Sequence, residues 1–134
     1  TIPFGKARII ATGDQVTIIT YGLGVHWAME TLKNHPEIKA DLIDLRTLLP
    51  LDTETIFKSV QRTGRAIILH EDCLTGGIGG EIASLITENC FEYLDAPVKR
   101  CASLDTPVPF NASLEKNFLA NKRFAEMLIS LINY

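Results

Sequence analysis

The chain has 134 residues, 46% of them hydrophobic, which fits a single domain with one core. Its formal net charge of −3, without a block rich in lysine or arginine, argues against nucleic-acid binding. No apolar run approaches the roughly 18–20 residues of a membrane helix, so we expect a soluble protein without a membrane partner.

The cysteines and the first residue bear on the cellular context. Cys73, Cys90 and Cys101 are an odd number without short paired spacing, which favours reduced thiols over a disulfide framework or a metal site. The sequence opens at Thr1 rather than at methionine. We therefore expect a fragment or a processed piece of a larger protein.

The first part of the chain alternates strand and helix signals. Residues 1–12 predict a strand at a sheet edge, and residues 16–21 are almost all strand-forming. The following segment predicts a helix that ends before Pro36, because proline disfavours a helical residue before it. The predicted inward face of this helix consists of Val25, Ala28, Met29 and Leu32.

The middle of the chain repeats the alternation. Residues 40–45 predict a strand, and Asp52 is a candidate N-cap for a helix with Gly64 at its C-terminal end. Residues 66–69 predict a central strand, and a helix is expected from residue 78 to about residue 91. The predicted inward residues of the first of these helices are Ile56, Phe57 and Val60.

The last part of the chain completes the pattern. Residues 97–103 predict the final strand, the proline-rich residues 105–110 predict an ordered turn or a presented loop, and residues 113–119 predict a short helix. A terminal helix is indicated by the apolar stripe Phe124, Met127, Leu128, Leu131 and Ile132. Such alternation predicts an α/β fold, a three-layer α/β/α sandwich with a mostly parallel sheet of about five strands.

The sequence His70-Glu71-Asp72 follows the predicted central strand. Adjacent imidazole and carboxyl groups suit general acid–base work or substrate orientation. The alternative is structural: His70 satisfies a backbone group of a loop, and the acidic residues are solvated or favour the next helix N-terminus. A hydrolase that uses Cys73 with His70 is a weaker reading, because neighbours three apart on a loop need not face each other.

Four glycines, Gly76, Gly77, Gly79 and Gly80, precede or begin the predicted helix at residue 78. Glycines before a helix let the backbone approach a phosphate, yet the spacing matches neither a dinucleotide fingerprint nor a Walker pattern. Close packing of the helix against a neighbouring strand or subunit explains Gly77, Gly79 and Gly80 equally. Both readings remain open from the sequence.

Several other polar or aromatic residues have ordinary structural explanations. His26 and Trp27 at the start of the first helix are expected to pack, and His35 before a proline is expected to be solvated. Asp44 and Arg46 are placed to pair across a strand end, where an exposed pair contributes about 0–1 kcal/mol.

Six stretches distributed along the chain form one combination of motifs. They are Val16-Thr17-Ile18-Ile19-Thr20-Tyr21-Gly22, Asp44-Leu45-Arg46-Thr47-Leu48-Leu49-Pro50-Leu51-Asp52, His70-Glu71, Leu74-Thr75-Gly76-Gly77, Gly80-Glu81-Ile82 and Asp105-Thr106-Pro107-Val108-Pro109. The combination resembles the C-terminal domain of the β subunit of thiamine-diphosphate-dependent 2-oxo acid dehydrogenases, within the transketolase C-terminal domain superfamily. His70-Glu71, the 74–77 loop and the Asn133-Tyr134 ending resemble the branched-chain enzymes in particular.

The resemblance implies that residues 1–134 are one transketolase C-terminal-like domain without catalytic, cofactor-binding or metal-binding residues of its own. In this family thiamine diphosphate and Mg²⁺ lie between two other domains. The C-terminal domain packs against other domains or subunits of an oligomeric parent and helps to receive the subunit-binding domain of dihydrolipoyl acyltransferase. The implied candidates facing an interface or channel are His70, Glu71 and Tyr134.

The resemblance also implies the parent reaction, which is oxidative decarboxylation of a 2-oxo acid with acyl transfer to lipoamide. It implies a bacterial cytoplasmic or mitochondrial matrix location. The alternative function is a regulatory module that binds a small molecule or nucleotide at the Gly76 to Gly80 loop, with anion contacts to a helix N-terminus.

Overall fold

The secondary structure follows the predicted alternation. In a computed structural model that describes residues 3–105 and 120–134, the strands are β1 (Arg8–Ala11), β2 (Val16–Thr20), β3 (Ala40–Asp44), β4 (Ala66–Cys73) and β5 (Lys99–Ser103). The helices are α1 (Leu23–Asn34), α2 (Thr53–Thr63), α3 (Ile78–Cys90) and α4 (Asn121–Ile132), with a 3-10 turn at Phe91–Tyr93. The predicted helix at 113–119 and all but the first residue of the predicted turn at 105–110 lie outside the described residues.

The five strands form one sheet in the order β1-β3-β2-β4-β5. β1 pairs antiparallel with β3, whereas β3, β2, β4 and β5 are parallel to one another. The predicted fold class and the edge position of β1 are therefore confirmed. The carboxyl ends of the four parallel strands lie at one edge of the sheet, which we call the carboxyl edge.

Apolar side chains from successive strand positions pack on opposite faces of the sheet. α1 and α4 cover the face that contains Ile18 and Leu42, and α2 and α3 cover the face that contains Ile19 and Ile43. Strands β2 and β4 are central and have near-continuous apolar runs, as expected for parallel strands covered on both faces. The result is the predicted three-layer sandwich.

α2 has the ends that its sequence predicts. Asp52 caps it by accepting the Thr55 N–H at 3.2 Å, and a second Asp52 oxygen accepts the Ala7 N–H at 2.8 Å. Gly64 adopts φ 75° after the last turn, a left-handed conformation that glycine takes without a Cβ penalty. The cap thus joins the start of α2 to the segment before β1.

The predicted inward face of α1 is partly wrong. Met29 is 47% exposed and His26 is exposed, whereas Gly24, Trp27 and Ala28 are buried. A Cβ on Gly24 would lie 2.1 Å from Thr20 Oγ1, so the helix approaches the sheet on that side. At about 100° per residue, this contact turns Met29 away from the core.

Candidate functional site

Polar side chains converge where β2, β4 and β5 end at the carboxyl edge. Strand β4 continues through Cys73, four residues beyond the predicted apolar run and one beyond Asp72. His70 therefore lies inside a strand instead of beginning a loop, and it is only 1% exposed. Glu71 and Asp72, which follow it, are exposed.

His70 contacts the first turn of α3. Its Nε2 accepts the Gly79 N–H at 3.3 Å, and its Nδ1 has no hydrogen-bond partner among the described residues. Burial lowers the pKa of His70, whereas the nearby Asp72 opposes that shift and Arg100 adds to it. The ring is thus held as a neutral acceptor with its proton on Nδ1.

The glycines of the 76–80 segment make room for this ring. A Cβ on Gly79 would lie 2.5 Å from His70 Nε2, and one on Gly77 would lie 2.7 Å from His70 Cε1. Gly80 differs, since its Cβ would meet nothing closer than Arg100 Nη1 at 3.7 Å. Close packing against a neighbouring strand is confirmed for Gly77 and Gly79, with the His70 side chain as the partner.

Tyr21 covers the other side of His70. The two rings are stacked with centroids 6.4 Å apart and planes 20° apart. Tyr21 Oη donates to Asp72 Oδ2 at 2.9 Å. Burial and the Asp72 carboxylate raise the pKa of Tyr21 well above its ordinary value, so the phenol remains a proton donor. Tyr21 and Asp72 are 51 residues apart in the chain, so no local sequence pattern indicates this contact.

The loop after β4 is tied to the end of β5. The Leu74 N–H donates to the Ser103 carbonyl at 3.1 Å, and the Thr75 N–H donates to Asp105 Oδ1 at 2.9 Å. The Thr75 hydroxyl donates to the other Asp105 oxygen. These bonds hold the pKa of Asp105 below its ordinary value. The first two residues of the loop that carries the glycines are therefore bonded to the end of β5.

The arrangement does not suit an anion cradle or a cysteine nucleophile. The Gly79 N–H, which a phosphate would need, is already donated to His70, and the Gly80 N–H reaches the Gly77 carbonyl at 3.2 Å. Cys73 is half-buried and makes no hydrogen bond with His70. Neither alternative reading gains a contact from the structure.

Thiamine diphosphate with Mg²⁺ is the cofactor that the resemblance implies for the parent enzyme. Mg²⁺ binding requires oxygen ligands arranged around one point. Within residues 3–105 and 120–134, no group of three or more His, Cys, Asp or Glu side chains is placed to hold a metal ion. The described residues therefore offer no cluster of this kind for a metal ion.

Helices long and apolar enough to cross a bilayer are not found in the described part of the chain.

The loop between β3 and α2 exposes apolar surface at the carboxyl edge. Leu49, at a cis peptide bond with Pro50, is 89% exposed, and Phe4 is 83% exposed. A Cβ on Gly5 would lie 3.1 Å from Pro50, which places the Phe4 segment beside this loop.

Asp44, just before the loop, accepts the backbone N–H of Arg46 at 3.0 Å, so the predicted ion pair of these two residues is replaced by a backbone contact.

A broad open groove of about 1180 Å³ lies along the outer face of α3 and reaches the end of α4. We call it the α3 groove. Phe91 and Tyr134, which are 72% and 70% exposed, stand in its lining. The lining also includes Ala83, Ser84, Glu88, Glu92, Pro97 and Arg100. The sequence had singled out Tyr134 but gave no sign that α3 and the chain end line one surface.

The other residues singled out in the sequence are Trp27, His26 and His35. Trp27 is buried in the core as expected, whereas His26 is exposed on α1, so the packing prediction is wrong for that residue. His35 Nδ1 lies 3.4 Å from Glu37, in a partly exposed pair. None of these three residues belongs to the carboxyl-edge cluster or to the α3 groove.

Comparison with known families assigns the class of this domain. Residues 5–123 match the family described as Transketolase, C-terminal domain, and the chain belongs to that family.

Relatives with two different substrate names match equally well. The pyruvate dehydrogenase E1 component subunit beta of Rickettsia bellii is 42% identical over 117 residues, covering 86% of this chain and 36% of that protein. The 2-oxoisovalerate dehydrogenase subunit beta of Bacillus subtilis is 42% identical over 123 residues, covering 90% and 38%. The chain thus spans little more than a third of the length of these relatives.

Solved structures share the fold. One described as split gene transketolase, inactive beta4 tetramer, superposes with a TM-score of 0.81 at 25% identity, covering 98% of this chain and 43% of that chain. A 2-oxoglutarate:ferredoxin oxidoreductase from Magnetococcus marinus superposes with a TM-score of 0.59 at 12% identity, covering 95% and 19%, which concerns the fold alone.

Proposed function

We propose that residues 1–134 are the C-terminal domain of a β subunit of the decarboxylating component of a 2-oxo acid dehydrogenase. The domain serves subunit assembly and docking of dihydrolipoyl acyltransferase, and it performs no chemistry itself. The observation that carries this proposal is the α3 groove, which presents two exposed aromatic side chains, Phe91 and Tyr134, beside a helix face of small residues. Aromatic anchors around a concave surface are typical of protein interfaces.

The α3 groove is proposed to receive the subunit-binding domain of the acyltransferase. Its carboxylates on Glu88 and Glu92 lie beside the apolar surface of Pro97 and Phe91. A partner that covers this mixed surface gains from burial of the rings, while the charges favour its correct orientation.

The carboxyl edge is proposed to face other domains or subunits of the parent enzyme. Glu71 is exposed there and can contact a partner directly, whereas His70 lies beneath it and acts by holding the backbone. The exposed Phe4 and Leu49 side chains extend this surface with apolar contacts that a neighbouring domain would bury.

The parent enzyme is proposed to bind thiamine diphosphate and Mg²⁺ in its other domains and to catalyse oxidative decarboxylation of a 2-oxo acid, with acyl transfer to lipoamide. Two observations support a domain without the cofactor: the poor fit of its described residues to the metal, and the use of the Gly79 N–H by His70. The cofactor, when bound elsewhere, supplies the carbanion chemistry.

The parent is proposed to be a branched-chain 2-oxo acid dehydrogenase, on the basis of His70-Glu71, the 74–77 loop and the Asn133-Tyr134 ending. A relative named as the mitochondrial 2-oxoisovalerate dehydrogenase subunit beta of Dictyostelium discoideum is 44% identical over 111 residues. Bacterial relatives stand beside it. The proposed location is accordingly the bacterial cytoplasm or the mitochondrial matrix.

Affinity for the subunit-binding domain, measured by calorimetry, tests the docking proposal. Removal of Asn133 and Tyr134, or the substitution Phe91→Ala, is expected to weaken binding at least tenfold, because each removes surface from the α3 groove. Met29→Ala removes a side chain that is 47% exposed on the opposite layer and is expected to leave the affinity unchanged. Unchanged affinity of both groove variants would contradict the proposed docking surface.

A further inference from the structure

We propose that His70 is a proton-sensitive anchor for the start of α3, which holds the glycine-rich segment in its neutral form and releases it when protonated. The anchor consists of the hydrogen bond that the Gly79 N–H donates to His70 Nε2. This inference goes beyond docking and assembly and does not depend on them, because it concerns contacts within the chain alone.

The proton of the neutral His70 ring lies on Nδ1. Nε2 accepts the Gly79 N–H at 3.3 Å, so in the neutral ring this nitrogen carries a lone pair and Nδ1 carries the proton. Nδ1 is buried without a hydrogen-bond partner among the described residues. The neutral ring therefore accepts a hydrogen bond from the Gly79 N–H, while its own Nδ1–H has no acceptor among the described residues.

The His70 ring packs closely against the first turn of α3. Gly77 and Gly79 leave space for the imidazole edge that a Cβ at either position would occupy, at 2.7 and 2.5 Å from ring atoms. The Tyr21 ring, stacked at 6.4 Å, covers another side of the imidazole. The ring thus has little room to turn its other nitrogen towards Gly79.

Protonation of His70 would break its hydrogen bond with Gly79. A proton added at Nε2 would face the Gly79 N–H. Two donors would then oppose each other, and the hydrogen bond would be lost. The imidazolium would also be a buried cation, since His70 is 1% exposed. Movement of the 77–79 backbone away from the ring relieves both costs by admitting water.

The charged groups around His70 come from each packed element. Asp72 on its own strand favours the protonated ring, Arg100 on β5 disfavours it, and Tyr21 at the end of β2 remains neutral because its pKa is raised. The first turn of α3 presents the uncharged Gly77 and Gly79. Burial outweighs the Asp72 carboxylate and lowers the pKa of His70, so the ring is neutral and the hydrogen bond with Gly79 is formed at neutral pH.

Release at the anchor is expected to reach the end of β5. The Thr75 N–H and hydroxyl bind Asp105, and the Leu74 N–H binds the Ser103 carbonyl at 3.1 Å. The segment between His70 and Gly79 is therefore bonded to the end of β5 through Leu74 and Thr75. Its displacement would change the surface that Glu71 and Thr75 present.

The pH dependence has a defined sign. The pKa of His70 in the folded chain lies below its ordinary value of 6.5, so the unfolded chain binds more protons as the pH falls. The stabilising contribution is complete above about pH 6.5 and is lost as the pH falls from there towards the folded-state pKa.

The test is nuclear magnetic resonance of the full 134-residue chain. The expected results are a neutral His70 protonated on Nδ1 at pH 7.5, and hydrogen-exchange protection of the Gly79 amide, corrected for intrinsic rates, that falls about tenfold as His70 titrates. His70→Gln is expected to remove this pH dependence, and His26→Gln, at an exposed histidine on α1, is expected to retain it.

Two results would overturn the proposal. One is a neutral ring protonated on Nε2, which is measured on the wild-type chain and needs no variant to fold. The other is protection of Gly79 that does not respond while the His70 ring titrates.

Discussion

Gly79 and Gly80 are neighbours in α3 that face different surroundings. Gly79→Ala would place a Cβ 2.5 Å from the buried His70 ring, and we expect it to lower the free energy of unfolding by about 1–3 kcal/mol. Gly80→Ala would meet only Arg100 Nη1 at 3.7 Å, and we expect a gain of up to about 1 kcal/mol from helix propensity. Urea denaturation measures both changes. Equal effects of the two substitutions would show that the His70 contact does not limit residue 79.

At the scale of elements, a buried polar network joins β2, β3 and α2 at the amino end of the sheet. Asp41, 2% exposed, accepts from the Ser59 hydroxyl at 2.7 Å and from the Gly13 N–H at 3.0 Å, and it pairs with Arg62. The Thr17 and Ser59 hydroxyls are 2.7 Å apart. All these contacts lie between elements, so the network fixes α2 relative to the sheet.

Asp41→Ala is expected to lower the free energy of unfolding by about 2–4 kcal/mol, because it leaves buried donors without their acceptor. Glu54→Ala, which removes an exposed pair with Lys58 on the same helix, is the control and is expected to have no measurable effect. Chemical denaturation of both variants checks this. A loss for Asp41→Ala no larger than for the control would assign the network no role in stability.

The elements differ in how far the sequence predicts them. Both ends of α2 follow from Asp52 and Gly64, because caps are local chemistry. The continuation of β4 through His70 and Asp72 does not, since polar residues at a strand end match a loop equally well. Contacts such as Tyr21 with Asp72 join residues 51 apart, and only the assembled sheet brings them together.

At the scale of the whole molecule, the domain has two distinct surfaces. The carboxyl edge combines exposed charges with the apolar side chains of Phe4 and Leu49, and the α3 groove presents Phe91 and Tyr134. Tyr134 stands out in the sequence only through family resemblance, because it lines the groove with α3 residues that lie more than 40 positions earlier in the chain. Both surfaces expose apolar side chains beside charged ones, a combination that is common at protein interfaces.

Titration with thiamine diphosphate and Mg²⁺ in a calorimeter measures whether this chain binds the cofactor by itself, with a complete decarboxylating component as the positive control. We expect no saturable heat for this chain under conditions that saturate the control, because the described residues contain no cluster of three or more metal-ligating side chains and Gly79 already donates to His70. Tight binding of one cofactor per chain would contradict the account.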